Sequence, residues 1–156
     1  MFLGVRLLTP KQIPGLSRKV IDQLLKRDPS GWSAVGVTQG DLTHVIYNPT
    51  HSEGRQASDI MHELAHIILD HEPATIIIAY DGSLSMRSYN QTQEDEASWL
   101  AWCLLLPREA LLWCKRRAIS TEQIAEDYGV SETLVTFRLR VTGIEAQLRA
   151  VQRFAG

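Results

Sequence analysis

The segment His62-Glu63-Leu64-Ala65-His66 sets two imidazoles four positions apart, with a carboxylate next to the first. On a helix of 3.6 residues per turn, His62 and His66 differ by about 40° around the axis, so both can hold one cation from one face. Glu63 lies about 100° from His62, beside such an ion and not on it. There its carboxylate can take a proton from a water molecule. This is the chemistry of metal-assisted hydrolysis.

A hydrolytic centre of this kind needs a third protein ligand and an open fourth position. Glu72 stands ten residues after His62, but it would need the chain to turn back at a glycine three residues after His66, where Leu69 stands. His71 falls about 140° from His66 on a continued helix and reads as a surface or capping residue. The next helical segment offers a better carboxylate. Glu94, Ala97 and Ala101 fall at i, i+3 and i+7 on one stripe, and the two alanines permit close approach to another helix. Glu96 is rotated by about 200° from Glu94 and leaves that stripe. The expected ligands are therefore His62, His66 and Glu94, with Glu63 as general base. An acidic first turn facing the helix dipole is the alternative account of Glu94, and it suits Asp95 and Glu96 well.

The elements that must carry these residues are legible from periodicity. Residues 16–27 form an apolar helical stripe that ends at Asp28-Pro29-Ser30-Gly31. Residues 33–37 and 43–47 read as a hairpin, 56–70 as the helix of the histidines, and 75–80 with 84–89 as a second hairpin around Asp81-Gly82. Helices follow over 93–106, through Trp113, near 121–128 and 132–141, with an amphipathic segment over 144–154. Strand 43–47, just before the histidine helix, is a candidate edge for an extended peptide; shielding one side of the core helix is the alternative. Tyr80, Arg87, Tyr89 and His44 are candidates to stabilise an oxyanion.

Composition bounds the reading. The 156 residues are 44% hydrophobic and 22% charged, which excludes disordered and fibrous classes. The net charge of -2 gives no global attraction to nucleic acid or membrane. Residues 1–100 carry net -4 and residues 101–156 net +2, an asymmetry that solvated helix faces explain. All five histidines fall between positions 44 and 71. No secretory signal or membrane-spanning run is visible. Cys103 and Cys114, in apolar surroundings, read as buried free thiols of a reducing compartment. A cytoplasmic location is expected.

Near the C-terminus, Ser120 with Gln123 makes a capping box and Gly129 suits a helix end. Helix, glycine turn and second helix follow the helix-turn-helix pattern. A DNA-reading helix should present basic or amide groups at its start, whereas this one offers Glu132 and Thr133, after Glu122, Glu126 and Asp127. Arg138 and Arg140 come late. Direct DNA binding is not expected, and packing or partner docking is.

HELAH followed by Glu94-Asp95-Glu96-Ala97 and the run to Leu104-Leu105-Leu106-Pro107 resembles the ImmA/IrrE-type zinc metallopeptidases over residues 30–145. Leu100, Leu106 and Ala65 stand where that family usually has Phe, Met and Gly. The resemblance implies an α+β fold: a mostly helical, zincin-like core with a small β-sheet beside the HExxH helix, plus a C-terminal helix-turn-helix-like segment. It implies residues 1–115 as the peptidase domain and 116–156 as a helical extension packed on it. It assigns His62, His66 and Glu94 to Zn2+ and Glu63 to the general base, although spacing alone does not select zinc among divalent ions. The implied activity is a gluzincin-like endopeptidase of narrow specificity that cleaves a repressor-type DNA-binding protein and so switches transcription. The alternative is a non-proteolytic regulator or toxin-antitoxin protein with a structural or degenerate metal site.

Overall fold

The computed structural model describes residues 3–39, 42–72, 76–78, 84–86 and 90–154. In chain order the elements are β1 (Arg6–Leu8), α1 (Arg18–Asp22), β2 (Ala34–Gln39), β3 (Leu42–Tyr47), α2 (Glu53–Ile68), β4 (Ile76–Ile78), β5 (Leu84–Met86), α3 (Gln91–Leu105), α4 (Arg108–Arg116), α5 (Thr121–Tyr128), α6 (Glu132–Thr142) and α7 (Ile144–Phe154). It is a mostly helical α+β protein. Residues 23–27 continue α1 as a wider turn and complete the helix expected over 16–27.

The main sheet has the order β1-β3-β2. β2 and β3 pair antiparallel with Gly36 opposite Val45, and β1 adds in parallel with Leu7 opposite Val45. β3 is thus the central strand, covered on both sides by described strands, so 43–47 does not offer the candidate edge for a peptide and the alternative role beside the helix remains. β1, three residues long, carries no alternating pattern of its own and forms because β3 leaves one side open to pair. Among the described residues, the edge strand near α2 is β2. The second hairpin pairs β4 with β5, Ile77 opposite Ser85.

A polar hub fixes how α2 leaves the sheet. Asn48 is buried, and its Nδ2 donates to the carbonyls of Pro29 at 2.6 Å and Trp32 at 3.2 Å. Its Oδ1 accepts from the Thr50 N–H at 3.0 Å and the Thr50 hydroxyl at 2.7 Å. His51 Nδ1 lies 3.0 Å from Asp59 Oδ2, and Gln56 Nε2 donates to the His51 carbonyl at 2.7 Å. His51 therefore pins the start of α2 and takes no part in the metal cluster.

Two apolar clusters hold the helices. Ala65 of α2 meets Ala97 and Ala101 of α3, all three buried, with Met61 and Leu100 beside them. Small side chains at this crossing bring the two helices close, as the stripe anticipates. The larger cluster joins Leu106, Leu111, Cys114, Ile124, Val135, Leu139 and Ile144. Buried Arg138 of α6 donates from Nε and Nη2 to the Leu106 carbonyl, at 3.2 and 3.1 Å. That contact satisfies an orphan carbonyl at the end of α3 and ties the site-bearing helix to the C-terminal helices. α5 and α6 are joined through Gly129, at φ 61°. Ser120 accepts from the Gln123 N–H at 3.2 Å, while the Gln123 side chain turns to Asp127, so only half of the capping box forms.

Candidate metal centre

α2 begins after Ser52 with Glu53 in its first turn, three residues earlier than periodicity suggests. α3 begins after Asn90, whose side chain accepts from the Thr92 and Gln93 N–H groups. This cap puts Glu94 in the first turn of α3, level with the histidines of α2. His62 Nε2 and His66 Nε2 are 3.1 Å apart. Glu94 Oε2 lies 3.1 Å from His62 Nε2, and Glu94 Oε1 lies 3.6 Å from His66 Nε2. Ligands about 2.0–2.1 Å from a tetrahedral zinc stand about 3.3 Å from one another. The three side chains fit that requirement, and among the described residues they are the group of His, Cys, Asp and Glu able to hold an ion.

Glu63 sits beside the cluster. Its Oε2 accepts the Gly36 N–H at 2.7 Å, a bond that β2 can make because no described strand pairs with its outer edge. A Cβ at position 36 would lie 3.2 Å from that oxygen, so glycine lets the carboxylate sit against the strand. Burial raises the Glu63 pKa above the ordinary glutamate range, against the opposing effects of the Gly36 N–H and His62. Burial likewise lowers the His66 pKa, which favours the neutral imidazole a metal requires.

The rings are also held from behind. Ser98 Oγ lies 3.3 Å from His62 Nδ1. His71 Nδ1 lies 3.0 Å from His66 Nδ1, and His71 Nε2 lies 3.1 Å from Glu96 Oε2. Extrapolating the helix turns His71 away, but α2 stops at Ile68 and Asp70 adopts φ 54°. The reversal that glycine would provide after His66 occurs at Asp70. Glu72 is exposed and outside the cluster. A groove of about 550 Å³ opens beside Glu96, between Leu69 and Trp99. His44 stays away from the cluster, because alternation along β3 puts it on the face opposite Val45 and Gly36. Tyr80, Arg87 and Tyr89 lie outside the described residues.

The peptidase M78 family model, described as the IrrE N-terminal-like domain, matches residues 28–140. The chain belongs to this family. The M78 match runs from before β2 into the last turn of α6 and takes in α2 and α3, so the three converging side chains sit inside a metallopeptidase-family domain. Comparison with curated proteins and with solved structures found no match. Among the described residues no helix is long and apolar enough to cross a membrane.

Proposed function

We propose that this M78 protein is a zinc-dependent endopeptidase of narrow specificity, acting in the cytoplasm on a repressor-type helix-turn-helix protein and so switching transcription. The observation that carries the proposal is the convergence of His62, His66 and Glu94, with Glu63 alongside and bonded to the edge of β2. Bound zinc supplies Lewis-acid polarisation of a carbonyl and acidifies water. His62, His66 and Glu94 would hold the ion. Glu63, with Oε2 on the Gly36 N–H, takes the water's proton on its other oxygen and delivers it to the leaving amine. Beyond the Gly36 N–H that Glu63 occupies, the outer edge of β2 is the surface along which an extended peptide segment can lie as an added strand. The repressor-type substrate follows from the resemblance to ImmA/IrrE-type peptidases, and the C-terminal helices serve packing or docking, not DNA reading.

The test compares zinc-loaded wild type with Glu63→Gln by profiling new N-termini in proteins exposed to each. Wild type should create new ends in one or a few proteins, a repressor among them. Glu63→Gln should retain zinc and create none. Equal cleavage by both, or an unchanged biological effect of the variant, contradicts the proposal.

A further inference from the structure

The residues behind His66 form a chain with a direction. α2 ends in a Schellman turn, in which the Asp70 N–H bonds the Ile67 carbonyl at 3.3 Å and the His71 N–H bonds the His66 carbonyl at 3.0 Å. That turn normally brings two apolar side chains together, from the positions His71 and His66 occupy here. In this protein the pair is two imidazoles, 5.0 Å apart between ring centroids and edge to face. The His71 side chain is only 7% exposed, and both of its ring nitrogens have partners in the protein.

With both imidazoles neutral, the protons on this chain have one consistent arrangement. A carboxylate carries none, so His71 Nε2–H donates to Glu96 Oε2, across 3.1 Å. A neutral imidazole protonated at Nε2 has a bare Nδ1. The bare Nδ1 of His71 accepts Nδ1–H from His66, across 3.0 Å. His66 is then left with a lone pair on Nε2, the atom that faces His62 and Glu94.

We propose that His71 and Glu96 are positioning residues that fix the tautomer and ring orientation of His66 for metal binding. This inference rests on the metal-centre reading. Outer partners of this kind typically change metal affinity by about 10–100-fold when removed. Glu96 acts through His71, which accounts for an acidic residue that the Glu94 stripe leaves out. α3 thereby supplies one ligand, Glu94, and the terminus of the chain that orients another.

The experiment uses the full chain and two readouts. The first is Zn2+ affinity by competition with a chromophoric chelator. The second is the imidazole ¹⁵N spectrum of the metal-free protein, which reports each tautomer without metal or substrate. Wild type should show His66 protonated at Nδ1 and His71 at Nε2. His71→Phe should weaken zinc binding by about 10–100-fold, and His71→Asn, whose amide oxygen can accept the same proton, should recover most of it. Glu96→Ala, at a more exposed position, should weaken binding severalfold and mix the His71 tautomers even if His71→Phe does not fold. Equal affinity for wild type, His71→Phe and Glu96→Ala overturns the proposal, as does a wild-type His66 protonated at Nε2. Should wild type bind no zinc, the metal-centre reading fails, and the ¹⁵N spectrum alone decides the orientation of His66.

Discussion

Glu63 Oε2 accepts the backbone N–H of Gly36 at 2.7 Å, so the acid–base residue of the proposed site is anchored to a strand 27 positions earlier in the chain. That hydrogen bond ties the edge of β2 to the helix carrying both histidines. It also fixes one carboxylate oxygen and leaves the other for proton transfer.

Gly36→Ala tests that anchor. The added Cβ would stand 3.2 Å from Glu63 Oε2, and a displacement of the carboxylate by a few tenths of an ångström should lower turnover about tenfold. Stability should change by less than about 1 kcal/mol, because alanine is compatible with an edge strand. Zinc affinity should stay at the wild-type value. Parallel measurement of kcat and zinc affinity checks the separation.

The raised pKa of Glu63 has a consequence for the metal-free protein. Its cause is burial, which disfavours the carboxylate in the folded state. Below the ordinary glutamate value both states are protonated and no cost arises. As pH rises from there through the folded-state value, the unfolded chain ionises first and stability falls. Above the folded-state value the loss is complete. Denaturant unfolding of the chelator-treated protein should show this loss in wild type and not in Glu63→Gln, which should be the more stable of the two at neutral pH.

Ala97→Leu probes the approach of α3 to α2. Ala97 is fully buried against Ala65, and overfilling such a contact costs about 1–3 kcal/mol. The forced separation carries Glu94 away from His62 and His66, so zinc affinity should fall by at least about tenfold. Unfolding and zinc competition on one sample check both.

The parts legible in advance were those written in local spacing. HELAH on a helix and the Glu94–Ala97–Ala101 stripe both describe what a single helix presents, and the structure brings these faces together. The parts that were not legible depend on pairing or on chain reversal. β1 is three residues long and exists through its register with His44, Val45 and Ile46. β3 reads as a possible edge until β1 covers it. A helical wheel misplaces His71 because it assumes the helix goes on, whereas Asp70 at φ 54° ends it and folds His71 under His66. An aspartate tolerates that left-handed conformation without advertising it as a glycine would. The Gly36 contact had no local signal at all, since the residue's role is to be small beside a distant carboxylate.

The measurement that tests the central claim most directly is a Zn2+ titration of the full chain beside Glu94→Ala and Glu96→Ala. The account predicts one ion per wild-type chain, no tight binding by Glu94→Ala, and one ion bound severalfold more weakly by Glu96→Ala. A Glu94→Ala protein that binds zinc as tightly as wild type would contradict it.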